Sequence, residues 1–275
     1  MSYKSLMVHV QFGQSNDAVL QAAKYIASRT STSIIGVMAE QQTQMVYGRG
    51  YATLDFFDRE QAHLEALIAG EKLTFNTAFK DNVIPIKWRS VVSMEPASDF
   101  IVAQARSVDL IITGIAQSDF YEGPNTAHAG AIVMQAGRPV LAVPVNNTEF
   151  KLDNLLVGWK DTREARRAIV DALPLLKMAI KGTVLEIVEK DEEAAANKRL
   201  HEIIKWLESH DVKAILLVAI ANDADAIQFI NIANQLKPDV IVIGAYGHSR
   251  FREWVLGGVT NELLQGAEFC LLLSH

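Results

Sequence analysis

The chain has 275 residues, 49% hydrophobic and 21% charged, with 26 basic against 32 acidic side chains and a net charge of −6. That length suits two domains of ordinary size, and an acidic balance without a basic block argues against a nucleic-acid partner. One cysteine, Cys270, excludes an internal disulfide, and its apolar setting FCLLL reads as a buried thiol in a reducing compartment. The opening MSYKSLMVHV lacks the basic stretch and long apolar run of a signal peptide. No apolar run approaches the roughly 20 residues of a membrane span. These features predict a cytoplasmic protein with no membrane partner.

In chain order, the apolar run KSLMVHV (4–10) predicts a first strand, followed by a polar turn and a helical pattern over 16–30. The loop EQQTQMVYGRGYAT (40–53) then leads into a long helix near 54–80. SVDLIITG (107–114) and RPVLAVPV (138–145) read as the closing strands of this half, and the polar segment NNTEFKL (146–152) as a linker. Beyond it, strands are predicted near 153–159, 183–189, 213–219, 239–244 and 269–273, with helices near 162–178, 191–210, 222–236 and 259–266. Asn222 reads as an N-cap, and Pro238 after Lys237 as a helix stop.

The two halves say nearly the same thing. KSLMVHV is answered by DNLLVGW (153–159), and SVDLIITG by KPDVIVIG (237–244), with an acid opening and a glycine closing each strand. RPVLAVPV is answered by EFCLLLSH (268–275). A period this long predicts duplication of a whole domain, with boundaries at 1–147 and 148–275. The strands are Val-, Ile- and Leu-rich without polar alternation, as expected when helices cover both faces of a parallel sheet. The fold class is therefore α/β: two five-stranded, parallel, doubly wound, Rossmann-like domains in tandem. The duplicated strand openings argue against one continuous sheet. The final strands, 138–145 and 268–275, are expected to pack near each other as an intrachain pseudo-dimer, and a homodimer of whole chains stays open.

GAYGHSRFREWVLGGVT (244–260) follows the predicted strand 239–244. Gly244 and Gly247 allow a tight turn with exposed amides, and Gly257, Gly258, Val259 and Thr260 open a helix whose N-terminus suits an anion. The spacing is neither a P-loop nor GxGxxG, and a structural turn with a helix cap accounts for the glycines about as well. The seven histidines form no HxxxH or HxH pair, so no metal site is expected. His9 reads as a satisfied strand residue and His128 as a solvated helix-start residue. No GxSxG elbow appears, and the acids of EPASD (95–99) and DEEAAANKRLHEI (191–203) fit helix N-termini. No residue reads as catalytic.

The pattern G-x2-G-x9-G after the fourth strand resembles the nucleotide-binding motif of the universal stress protein family. LLVGWKDTREARRAIVDALPLL (155–176) and the final LLLSH extend that resemblance through the second half. LMVHVQFGQSNDAVLQAAKYIA (6–27) carries it more weakly in the first. The resemblance implies an adenine nucleotide alpha hydrolase-like fold and a UspA-like tandem protein. It implies ATP or a related adenine nucleotide, with magnesium only as the nucleotide's companion. Phosphates would lie over Gly244, Gly247, His248, Gly257, Gly258, Val259 and Thr260, and the nucleoside against Gly158, Trp159, Lys160 and Ile187. Lys160 stands where nucleotide-binding members carry Asp, and Gly258 where they commonly carry Ser. A nucleotide site should show Lys160 directed toward phosphate, or Asp161 moved into the nucleoside position. In the first half Gln117 replaces the second glycine, Gly123, Pro124 and Gly130 do not restore the spacing, and Gln11 takes the acid's place. That half is expected not to bind ATP in the family manner; a pocket roofed by the 47–51 loop and the long helix is the alternative for it. The expected function is stress-response regulation through nucleotide binding and partner contacts. A non-nucleotide interaction module and a slow ATP hydrolase are the alternatives.

Overall fold

The structure is a computed structural model that describes residues 2–42, 54–81, 84–115, 127–245 and 258–275. In chain order the first half comprises β1 (Ser5–His9), α1 (Asp17–Thr30), β2 (Ser33–Gln41), α2 (Leu54–Phe79), β3 (Ile86–Ser93), α3 (Ala97–Gln104), β4 (Leu110–Ile115), α4 (Ala129–Ala136) and β5 (Val140–Pro144). The second comprises β6 (Asn154–Gly158), α5 (Arg163–Met178), β7 (Lys181–Val188), α6 (Glu193–Ser209), β8 (Ala214–Ile220), α7 (Asp225–Leu236), β9 (Val240–Gly244), α8 (Gly258–Gly266) and β10 (Cys270–Ser274).

Strand order is β3-β2-β1-β4-β5-β10-β9-β6-β7-β8, so each half is a parallel five-strand unit wound in the same order from its own first strand. The matched registers repeat: Leu6, Met7 and Val8 pair with Leu110, Ile111 and Ile112, as Leu155, Leu156 and Val157 pair with Val240, Ile241 and Val242. The acid that opens each fourth strand has a concrete role. Asp109 Oδ2 accepts from the amides of Lys4 and Ser5 at 2.7 and 3.1 Å, and Asp239 Oδ2 accepts from those of Asp153 and Asn154 at 2.7 and 2.8 Å. Each carboxylate thus closes the amino end of its half's first strand, where no ladder partner serves those donors.

The two units are not separate sheets. β5 and β10 pair antiparallel, Leu141 opposite Leu272, and join them into one ten-stranded sheet. This corrects the expectation against a continuous sheet: the duplicated motifs mark two units, but their last strands satisfy each other's open edges. The closing strands do meet as the pseudo-dimer reading requires. Apolar side chains fill both faces. One layer gathers Val19, Ile26, Phe75 and Phe79 with Ala168, Leu173, Leu176, Leu200 and Leu207 from α1, α2, α5 and α6. The other gathers Ile101, Ile132, Phe229, Ala233, Leu263 and Leu264 from α3, α4, α7 and α8.

Side chains also stitch the halves. The Tyr3 hydroxyl donates to the Asp171 carbonyl at 2.7 Å, Tyr25 meets Phe150 edge-on at 5.5 Å, and Asn147 Nδ2 donates to Cys270 Sγ at 3.1 Å. Burial pushes the Cys270 thiol up to about 12, which makes it a small core residue and not a nucleophile. At α7 the N-cap is Ala224, not Asn222. Gln228 instead closes that turn, accepting from the Asn222 amide at 3.0 Å and donating to the Ile220 carbonyl at 2.8 Å. The stop at Lys237 stands, with φ +47° before Pro238.

Candidate functional site

In a doubly wound sheet the crevice lies beyond the carboxyl ends of the strands where the crossovers reverse direction, here between β6 and β9. Lys160 follows β6 and Gly244 ends β9, so the sequence motif and the topology converge on one place. Gly247, His248 and Gly257 lie outside the described residues, as do Gln117, Gly123, Pro124 and the 47–51 loop.

Gly158 and Gly244 are needed for packing. A Cβ on Gly244 would lie 2.6 and 2.7 Å from the backbone of Glu164 and Ala165, so α5 approaches β9 as closely as a missing side chain permits. On the other face, a Cβ on Gly158 would stand 2.9 Å from both Ile243 and the Phe229 ring. The Trp159 ring is buried with Val157 and Ala165 and is not a stacking surface, although its Nε1 has no hydrogen-bond partner among the described residues. Ile187, on β7, is half-buried against the α7 and α8 layer. Gly258 is exposed, with nothing within 4 Å of an added Cβ, and it begins α8. Val259 is half-buried and Thr260 buried in the next positions.

Charge at the crevice comes from the β6–α5 turn. Thr162 Oγ1 accepts from the Ala165 amide at 3.3 Å and caps α5. Glu164 occupies that helix's first turn. Burial alone would raise its carboxyl, but hydrogen bonds from its own amide, Arg163 and Thr162 hold it below the ordinary range. The positive end of α5 is therefore already answered by a carboxylate, whereas α8 begins at exposed Gly258. Arg163 contacts Glu164 at 3.0 Å, and Arg166 contacts Asp161 at 3.6 Å. Lys160 Nζ lies 3.8 Å from Asp225 Oδ2, both side chains 67% exposed. Neither arrangement expected of a nucleotide site is present: Lys160 turns to Asp225 of α7, and Asp161 to Arg166 of α5.

The corresponding place in the first half is filled differently. A Cβ on Gly114, at β4, would meet Gln11 Oε1 at 2.5 Å, so the Gln11 side chain lies over the strand end. His9 stands where the second half has Gly158, buried, with Nδ1 2.8 Å from Thr113 Oγ1. Burial lowers its pKa to about 4, the satisfied strand histidine expected from sequence. His128 is not merely solvated: its Nδ1 accepts from the Ala131 amide at 3.3 Å and caps α4. Among the described residues no three His, Cys, Asp or Glu side chains gather as a metal site, and no helix is long and apolar enough to cross a membrane.

Sequence reasoning missed one polar cluster. Glu186, buried on β7, accepts from Arg199 of α6 at 2.8 Å, while Glu186 Oε2 and Arg199 Nε have no partner among the described residues. In the one-letter pattern, Glu186 interrupting VLEIV was the available signal.

The model of the universal stress protein family matches residues 160–274. No curated protein matches the chain. Among solved structures, a universal stress protein from Archaeoglobus fulgidus superposes with TM-score 0.75 at 11% identity, over 98% of this chain and 95% of that one. A putative universal stress protein from Pseudomonas aeruginosa gives 0.65 at 14%, over 99% and 93%. A functionally unknown protein from Pseudomonas aeruginosa gives 0.64 at 15%, over 99% and 92%. At such identities these likenesses establish the fold, and they extend it over both halves. Residues 160–274 thus form a universal stress protein family domain, set in a chain whose two halves share one doubly wound fold.

Proposed function

We propose that the second half, taken as a domain over 148–275, binds an adenine nucleotide such as ATP, and that the first, 1–147, supports it without such a ligand. The observation that carries this reading is the asymmetry at equivalent strand ends. Beyond β6 and β9 stand an exposed lysine and, at the start of α8, an exposed glycine, whereas beyond β4 a glutamine side chain already covers the strand. Phosphates would meet the amides from Gly258 onward together with Gly244, Gly247, His248 and Gly257 of the motif, and the nucleoside would lie by Gly158, Lys160 and Ile187. Trp159 would contribute through its backbone. Magnesium would arrive with the nucleotide. The protein would act in the cytoplasm by ligand-dependent partner contacts and not by turnover.

Equilibrium titration of the full chain with ATP tests this. Saturable binding at or below millimolar ATP, lost in Gly247→Val with the melting temperature unchanged, is the expected result. No binding by the parent would sink it. Two observations favour the alternative, an interaction module without nucleotide: Lys160 lies on Asp225 and Asp161 on Arg166, neither as a nucleotide site requires, and Gly158 and Gly244 are both accounted for by packing alone. In that case the glycine motif is architectural, and ATP leaves the melting temperature unmoved.

A further inference from the structure

The β5–β10 seam leaves the ten-stranded sheet with two outer edges, β3 and β8. Each is the third strand of its half, yet the two are composed differently. β3 reads IKWRSVVS and carries exposed Lys87 and Arg89, the latter donating to Gln104 Oε1 at 2.9 Å. Charges on an edge strand discourage pairing with another chain. β8 reads AILLVAI, with no charge, proline or glycine, and none of its residues is fully buried. Ile215 is 51% exposed.

The free groups of β8 follow from its ladder with β7. The Lys213 carbonyl accepts from the Gly182 amide at 3.0 Å, and the Ala221 amide donates to the Val188 carbonyl at 2.8 Å. Alternation between these bonds turns the odd-numbered residues toward β7 and the amides and carbonyls of Ala214, Leu216, Val218 and Ile220 outward. Among the described residues no strand receives them. A second copy of β8, laid antiparallel with Leu217 opposite its own copy, sets Leu216 against Val218 and Ala214 against Ile220. Every outward residue then meets an outward residue, and all their amides and carbonyls are used. Ile215 falls opposite Ala219 in a close pair and leaves water. Charge agrees with this register. Exposed Lys213 precedes the strand, exposed Asp223 follows it, and Lys213 has no ion pair among the described residues, while Asp211 is already engaged by Lys177 at 3.8 Å. The antiparallel arrangement brings each Lys213 diagonally beside Asp223 of the other copy.

We propose that two copies of this chain pair through β8 across a twofold axis, so that their sheets continue into one. The interface is distinct from the β5–β10 seam, which makes the same kind of contact within the chain, and it does not depend on nucleotide binding. The twofold pairing consumes the β8 edge, and charged β3 offers no second one, so assembly stops at two copies.

Sedimentation equilibrium of the full chain at micromolar concentrations tests this, with a monomer–dimer equilibrium and no larger species as the expected result. Ile215→Lys, which gives β8 the kind of charge that β3 carries, should weaken the dimer at least about tenfold. Because Ile215 is exposed, that variant should melt with the diluted parent. Lys213→Glu should weaken the dimer severalfold, and adding Asp223→Lys should restore it. Oxidation of Leu217→Cys should give a disulfide-linked dimer, since that position meets itself across the axis, whereas Leu216→Cys should not. Native Cys270 is buried and does not compete. A monomer throughout, growth beyond two copies, a dimer indifferent to Ile215→Lys, or equal cross-linking at positions 216 and 217 overturns the proposal. A β8 edge that serves a strand of another protein would give the first of these results.

Discussion

The carboxyl ends of β4 and β9 hold equivalent positions in the two halves and carry different things. Both strands end in glycine-bearing runs, yet Gly114 lies under the tip of a flexible side chain and Gly244 against the backbone of a helix. His9 and Gly158 stand at the same step of the two first strands, one hydrogen-bonded to Thr113 and the other pressed by Phe229 and Ile243. The scaffold repeats between the halves and the rim does not. What repeats is the strand register, and what differs is the atom that lies over the glycine and the residue that follows the first strand, Gln11 in one half and Lys160 in the other.

The sharpest way to break the comparison is substitution at the paired glycines. Gly244→Val should cost upwards of about 3 kcal/mol, because its neighbours at 2.6–2.7 Å are backbone atoms that cannot yield without moving α5. Gly114→Ala should cost less than about 1 kcal/mol, because Gln11 can swing away. Urea denaturation of both variants measures the difference, and equal losses would refute the packing distinction. Next in size is a pH effect confined to the first half. The folded pKa of His9, about 4, lies below its ordinary 6.5, so the folded state favours the neutral ring. Its contribution is present above pH 6.5 and lost as pH falls through 4, up to about 3 kcal/mol. Denaturant midpoints for the parent and His9→Leu should diverge in slope across that window, and parallel pH curves would show that His9 does not carry the effect.

The equivalent acids test the repeat itself. Asp109→Ala and Asp239→Ala should each cost about 1–2 kcal/mol, since each removes an acceptor from two amides at the start of a first strand. A large loss from one and none from the other would mean that the repeated contact bears unequal load. The smallest expected effect is at Gly258→Ser. The open space around Gly258 predicts stability changed by no more than about 0.5 kcal/mol. The added hydroxyl should tighten nucleotide binding severalfold in the same titration that tests the parent.

Much of the scaffold was legible in the sequence because short, continuous Val, Ile and Leu runs bounded by turn residues read as strands covered on both faces, and these set the order of the elements before any contact is known. The repeated Asp-to-Gly strand also marked the two units, since the acid that opens it closes a backbone gap in each half. The seam was not legible. Whether β5 and β10 merely neighbour each other or pair depends on edge geometry, and LAVP and LLLS carry no residue that tells the two apart. At the site, the pattern located the crevice but could not separate a glycine that admits a ligand from one that admits a helix. That distinction is a matter of ångströms from Glu164 and Phe229, both remote in sequence from the glycines they press upon. The N-cap of α7 failed for a similar reason: Gln228, six residues after Asn222, competes for the same turn.

The antiparallel seam between β5 and β10 has an evolutionary consequence. When two identical copies meet across a twofold axis, every substitution is made twice, and both sides must tolerate it. Here the facing strands are encoded separately, so Leu141 and Leu272 can change one at a time. The covalent link also holds the two units at an effective concentration set by a few residues of chain, independent of how much protein is present. One unit can then lose an ancestral trait without removing it from its neighbour, and partnership no longer requires resemblance.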